Sequence, residues 1–134
     1  MSLWNKLSLW VPVAAFMALL YLLSARTDLH SVPSGWDKLA HVSAYAVLGA
    51  LCLRAFHGGL HWLGRWQSCK ALLLTVTYGL VDELHQGLVP GRDPSVFDWG
   101  ADVLGSGIGL ACVALLVAWR SRGSRLRSLE QTKS

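Results

Sequence analysis

The chain has 134 residues, of which 53% are hydrophobic and only 15% are charged; with a mean hydropathy of +0.40, it carries more apolar surface than a small soluble core can bury. Its formal charge of +4 does not point to nucleic acid, because the basic residues lie at the ends of apolar runs, as they do in membrane proteins. This length makes one domain the natural count.

A bilayer core about 30 Å thick needs roughly 20 mostly apolar residues in a helix. Four stretches approach that length, at about 7–25, 38–56, 71–89 and 97–119. The first holds no charge, and Trp4, Trp10 and Tyr21 fall near its ends, where interfacial aromatics belong. Leu23 is too bulky for a signal-peptidase site, so this stretch is expected to remain as an uncleaved helix. The second is apolar apart from Lys38, His41, Ser43, Tyr45 and Arg54. Ser34 stands three residues before Asp37, with Pro33 just upstream, which is a helix-starting pattern. His57-Gly58-Gly59 breaks the chain after it. The third is the most polar, with Asp82, Glu83, His85 and Gln86 crowded into its second half, and Pro90-Gly91 turns the chain after it. Ser95 and Asp98, with Pro94 upstream, repeat the starting pattern for the fourth, whose span carries only Asp98 and Asp102 as charges. Residues 120–134 form a basic tail, expected at the anionic inner leaflet. The cysteines, Cys52, Cys69 and Cys112, are odd in number and two sit in apolar runs, so neither a disulfide framework nor a cysteine metal site is indicated.

Parity decides the third stretch. Four crossings put Lys6, Arg54, Arg65, Lys70, Arg120, Arg122, Arg125, Arg127 and Lys133 on one side, leaving Arg26, Lys38 and Arg92 on the other. The positive-inside rule makes the richer side cytoplasmic. The expected fold is therefore all-α, a four-helix transmembrane bundle over 1–119 with both termini cytoplasmic, in the inner membrane of a bacterial cell.

That topology collects the chemistry at the extracytoplasmic end. Asp37, His41 and Tyr45 recur every four residues and share a helix face, as do Asp98, Asp102, Gly105 and Gly109. Glu83 and Gln86 share a stripe with Gly79, while Asp82, His85 and Tyr78 line a neighbouring one. Bland readings stand beside the functional ones. Asp37 and Asp98 suit the positive end of a helix dipole, Lys38 and Arg54 suit snorkelling to an interface, and Gly105 to Gly109 suits close helix packing. His85 reads equally as a satisfied interior histidine. Glu83, Gln86 and Asp102 resist such readings, because polar groups inside a membrane cost several kcal/mol unless paired and by default mark function. Arg92 is expected to pair with Glu83, Asp98 or Asp102 through bidentate hydrogen bonds.

The ordered set Asp37-Lys38-x-x-His41-x-x-x-Tyr45, then Tyr78 with Glu83-x-x-Gln86, then Pro90-Gly91-Arg92, then Asp98-x-x-x-Asp102-x-x-Gly105, resembles the VanZ-like family of small bacterial membrane proteins over about Trp36 to Gly109. The resemblance implies a helical membrane domain and a link to teicoplanin resistance, which is associated with the founding member. Where that family often has Asn, this chain has Asp102, which adds an acidic group.

Two readings of the site follow. In one, a membrane-embedded enzyme acts on a lipid-linked or envelope component, with Glu83 or His41 as acid or base and Arg92 with Lys38 holding an anionic head group. In the other, a non-catalytic module binds such a component, with Arg92, Glu83, Gln86 and His41 as a buried polar network that shapes the pocket; the candidate binding residues are Asp37, Lys38, Tyr45, Gln86, Arg92, Asp98 and Asp102. The acids and histidines could also serve a metal-dependent enzyme, but no H-E-x-x-H or similarly dense spacing is present, so the spacing assigns no metal and no cofactor. Proton-coupled transport is less favoured, since four short helices leave little room for a gated pathway.

Overall fold

The computed structural model describes residues 2–25, 34–59 and 64–131, with side chains at all of these except 34–35 and 124–131. Among the described residues there are four α-helices and no strand: α1 (Leu3–Ser24), α2 (Ser34–Phe56), α3 (Arg65–Gln86) and α4 (Val96–Gln131). Three segments, Leu3–Ser24, Trp36–Phe56 and Val96–Gly123, are long and apolar enough to cross a membrane. The polar first turns of α3, with Arg65 and Lys70, and its polar second half together keep it out of that group.

The bounds differ from the sequence reading where the apolar run is a poor guide to the helix. α1 begins early because Ser2 caps it, its Oγ accepting from Asn5 N–H at 3.3 Å. α3 begins at Arg65, a polar first turn that adds nothing to an apolar span. α4 runs past residue 119 to Gln131, since Arg and Leu are good helix formers. Arg26, Pro33 and Lys133 lie outside the described residues, as do the side chains of Ser34, Arg125 and Arg127.

Expected turns form where the backbone demands glycine. After α2, Gly59 N–H bonds Arg54 C=O at 3.0 Å and Gly58 N–H bonds Ala55 C=O at 3.1 Å, with Gly58 at φ 67°; this is a Schellman cap, which needs a left-handed residue at that position. After α3, Arg92 N–H closes a turn onto Val89 C=O at 3.1 Å with Gly91 at φ 83°, the type II arrangement that Pro90-Gly91 favours. Ser95 Oγ then accepts from Asp98 N–H at 3.2 Å and starts α4.

Helix α2 is central, packing on all three others, and its contact with α4 is the most extensive. Small residues allow it. A Cβ added at Gly105 would collide with the Val42 carbonyl, one at Gly109 with the Ala46 carbonyl, and one at Gly49 would stand 2.8 Å from the Ser106 carbonyl. The glycine stripe is thus a helix-packing seam. An apolar cluster of Leu9, Val13 and Leu20 from α1, Leu48, Cys52 and Leu53 from α2 and Ala71 from α3 fills the centre.

Polarity runs inside out. Thr75, Asp82, Glu83, Gln86, Asp102 and Ser106 are buried, while Leu73, Leu80, Leu84, Leu104, Leu115 and Trp119 face outward. Lipid rather than water is the solvent that makes such an arrangement stable. One internal proline fits the same rule. Pro12 in α1 has no N–H for the Ser8 carbonyl, and Arg54 Nη1 reaches across from α2 to donate to that carbonyl at 3.3 Å.

Candidate functional site

The first two turns of α2, the last two of α3 and the first two of α4 meet at one end of the bundle. His41 on α2 and Asp102 on α4 are the inner pair, with Nδ1 and Oδ1 2.8 Å apart and side chains 11% and 0% exposed. Helical spacing aims both inward, and the glycine seam brings their helices close enough to touch. Asp102 packs against Gly79 of α3, where an added Cβ would lie 3.0 Å from its Oδ2. Any larger residue there would press on the carboxylate and on the Tyr45 ring.

Glu83 joins them from α3. Its Oε2 accepts from Ser95 N–H at 2.8 Å, tying the end of α3 to the start of α4. One side-chain donor atom each from His41, Glu83 and Asp102 lies within 4.8 Å of the others, and Asp37, His41 and Asp98 form a second, less buried set of the same dimensions. Lys38 Nζ bonds Asp98 Oδ1 at 2.8 Å, with the lysine side chain half exposed. Buried oxygens remain: Glu83 Oε1, Asp102 Oδ2, Asp82 Oδ1, Tyr45 Oη and Ser106 Oγ have no hydrogen-bond partner among the described residues. Natural structures keep few of these, and each calls for an explanation.

Beside this cluster a cavity of about 190 Å³ opens between α1, α2 and α3. Its lining combines the apolar Leu20, Leu23, Ala40 and Ala44 with the polar Ser24, Asp37, His41, Tyr45, Asp82, Gln86 and Arg92. Arg92 does not pair with an acid as expected. Its Nη1 donates instead to the Ser24 carbonyl at 3.2 Å, because the turn after α3 directs it toward the end of α1, whose last carbonyls have no partner within the helix. The ion pairs formed among the described residues are Lys38 with Asp98 and His41 with Asp102.

Most of the expected residues converge. His41, Glu83, Asp102, Asp37 and Asp98 are drawn together, and Tyr45, Gln86 and Arg92 reach the cavity. Lys38 turns to Asp98 and does not line it. His85 faces α1, stacked on Tyr21 with ring centroids 4.1 Å apart and 3.3 Å from Ser24 Oγ, a satisfied but only part-buried position. Asp82 was missing from the expected site. The spacing of Asp82 and Gln86, four apart, was the available signal: Gln86 Nε2 donates to Asp82 Oδ2 at 3.2 Å, and both face the cavity while Glu83 turns to α4. Leu20, Leu23 and Ser24 of α1 could not have been assigned to the site from spacing within one helix.

Fold and site together define a helical membrane protein with buried acids and a histidine at one end of the bundle. The chain belongs to the VanZ/LLP1 family, whose model matches residues 2–117. The match extends the likeness through α1, beyond the polar set of α2 to α4. No curated protein and no solved structure matches the chain.

Proposed function

We propose that this VanZ/LLP1-family protein spans the bacterial inner membrane four times with both termini in the cytoplasm, and that it binds a lipid-linked component of the cell envelope at its outer face. The observation that carries this reading is the cavity, whose lining combines apolar side chains with polar and charged ones. An amphiphile needs that combination. The apolar Leu20, Leu23, Ala40 and Ala44 suit an acyl or prenyl chain entering from the bilayer. Arg92 suits one phosphate oxygen, and Asp82 Oδ1, which lacks a partner among the described residues, suits a hydroxyl or amide donor. A phosphate-linked sugar or peptide head group offers both chemistries, and the small cavity would take a fragment of it.

The test is binding to purified protein in lipid nanodiscs, with a polyprenyl-phosphate-linked saccharide as probe and free polyprenol as control. Losing a charged hydrogen bond of about 1.5–3 kcal/mol should weaken the probe roughly 10- to 100-fold in Arg92→Gln and leave polyprenol binding unchanged. Equal affinity of wild type and variant for the saccharide would overturn the reading. If the bound component is one that a glycopeptide antibiotic also recognises, expression should raise teicoplanin tolerance and Arg92→Gln should abolish the rise.

A second reading rests on the His41–Asp102 pair. With Asp102 ionised, Nδ1 carries the proton, which holds the ring in one orientation and leaves Nε2 as a base beside the cavity. Catalysis is separated from binding by incubating the probe with the nanodisc protein and assaying for a product that His41→Gln fails to form.

A further inference from the structure

We propose that His41, Glu83 and Asp102 form a binding site for one divalent first-row transition metal ion, Mn²⁺ or Zn²⁺. The three donors come from three helices and lie within 4.8 Å of one another. Metal–donor bonds of about 2.1 Å put neighbouring donors roughly 3 Å apart and opposite ones about 4.2 Å apart, so a small side-chain rotation closes the set around an ion. The 2.8 Å separation of His41 Nδ1 and Asp102 Oδ1 is already near that of adjacent donors.

A group of acids and a histidine proves nothing alone. The independent observation is that Glu83 Oε1 and Asp102 Oδ2 have no hydrogen-bond partner among the described residues, although their residues are 4% and 0% exposed. Buried carboxylate oxygens left bare in an apolar bundle are costly. Glu83 can use Oε1 for an ion while Oε2 keeps the Ser95 N–H. Two carboxylates and a neutral imidazole around a dication sum to no net charge, the state that a low-dielectric interior favours.

The alternative set of Asp37, His41 and Asp98 is weaker. Asp98 is already engaged by Lys38, and neither Asp37 nor Asp98 holds a buried oxygen without a partner. Mixed imidazole and carboxylate donors select Mn²⁺ or Zn²⁺ over Mg²⁺ and Ca²⁺, which prefer oxygen alone. The cavity lined by His41 supplies the entry path that such a site needs. The ion would occupy the space behind the amphiphile cavity, so this site stands whether or not an envelope lipid binds there.

The experiment uses the full chain in detergent, stripped with EDTA, desalted and titrated with Mn²⁺ while the free-ion electron paramagnetic resonance signal is followed. About one Mn²⁺ per chain is expected, displaced by Zn²⁺ and not by a tenfold excess of Mg²⁺. Glu83→Gln keeps an acceptor for Ser95 N–H and removes the charge, and should weaken binding at least tenfold, whereas Asp93→Asn on the exposed turn should not. Pulsed spectra of the wild-type complex should show coupling to one imidazole nitrogen, a readout that does not depend on any variant folding. Less than about a tenth of an ion per chain in folded wild type, wild-type affinity in Glu83→Gln, ready displacement by Mg²⁺, or absence of nitrogen coupling would each overturn the proposal. No lipid enters the measurement, so its failure leaves the amphiphile reading to its own test.

Discussion

Glu83 divides its two oxygens between different tasks. Oε2 receives Ser95 N–H at 2.8 Å, while Oε1 is buried without a partner among the described residues. The two tasks separate by substitution. Glu83→Leu should cost about 1–3 kcal/mol, because it leaves a part-buried backbone N–H without its acceptor, whereas Glu83→Gln should hold stability near wild type. Unfolding in mixed micelles by detergent titration measures both. A Gln variant that folds like wild type and loses the metal assigns Oε1 to function, and one that retains it removes Glu83 from the site. His41 makes the complementary case. His41→Ala strips Asp102, which is fully buried, of the partner at its Oδ1, and breaking a buried pair costs about 3–5 kcal/mol. The same titration checks it, and a loss below about 1 kcal/mol would mean the pair carries little of the fold.

At the scale of the helices, two features are structural answers to local defects. Pro12 frees the Ser8 carbonyl, and Arg54 donates to it from α2, so the two residues should be coupled. Arg54→Met should destabilise by about 1–2 kcal/mol in the wild-type background. In a Pro12→Ala background the new N–H can take the Ser8 carbonyl within α1, and the loss should shrink by at least half. A double-mutant cycle measures the coupling, and additive losses would show that Arg54 acts elsewhere. The α2–α4 seam gives a sharper contrast. Ala at Gly105 or Gly109 must push against the Val42 or Ala46 backbone and should cost about 1–3 kcal/mol. At Gly107 nothing stands within 4 Å of an added Cβ, so Gly107→Ala should be neutral or stabilising by up to about 1 kcal/mol through helix propensity. Equal effects at all three positions would mean the seam does not set the helix separation.

For the whole molecule the open quantity is which way the bundle faces and whether α3 crosses. Nine of the twelve Lys and Arg residues lie at one end in a four-crossing arrangement, which predicts a cytoplasmic C-terminus. Reporter fusions after Ser134 and within the Gly91–Ser95 connection should give opposite compartments, and the same compartment for both would exclude a crossing by α4 alone between them. Helix α3 should not insert by itself, since it hides Asp82, Glu83 and Gln86 only against the neighbouring helices α1, α2 and α4. Placed singly in an insertion reporter, residues 65–86 should fail to span, while cysteine accessibility in the full chain should find Cys69 and a cysteine introduced at Leu88 on opposite sides.

The sequence by itself determined the four helices, the turns between α2 and α3 and between α3 and α4, and the end of the bundle at which the acids gather. These follow from apolar length, glycine and proline chemistry and four-residue spacing, all of which act over a few residues of chain. Asp37, His41 and Tyr45, like Asp98 and Asp102, were readable as helix faces for that reason. Tertiary structure alone decided which face meets which. The Gly105 and Gly109 seam sets how closely α2 and α4 approach, and hence that His41 bonds Asp102 rather than Glu83. The turn at Pro90-Gly91 sends Arg92 to the Ser24 carbonyl rather than to an acid, and the docking of α1 brings Leu20, Leu23 and Ser24 to the cavity lining. The third helix shows the boundary most clearly: its spacing put Glu83 and Gln86 on one stripe, yet Glu83 serves α4 and Gln86 serves the cavity. A helix in a bundle has neighbours on two sides, and the order of residues along it does not say where those neighbours stand.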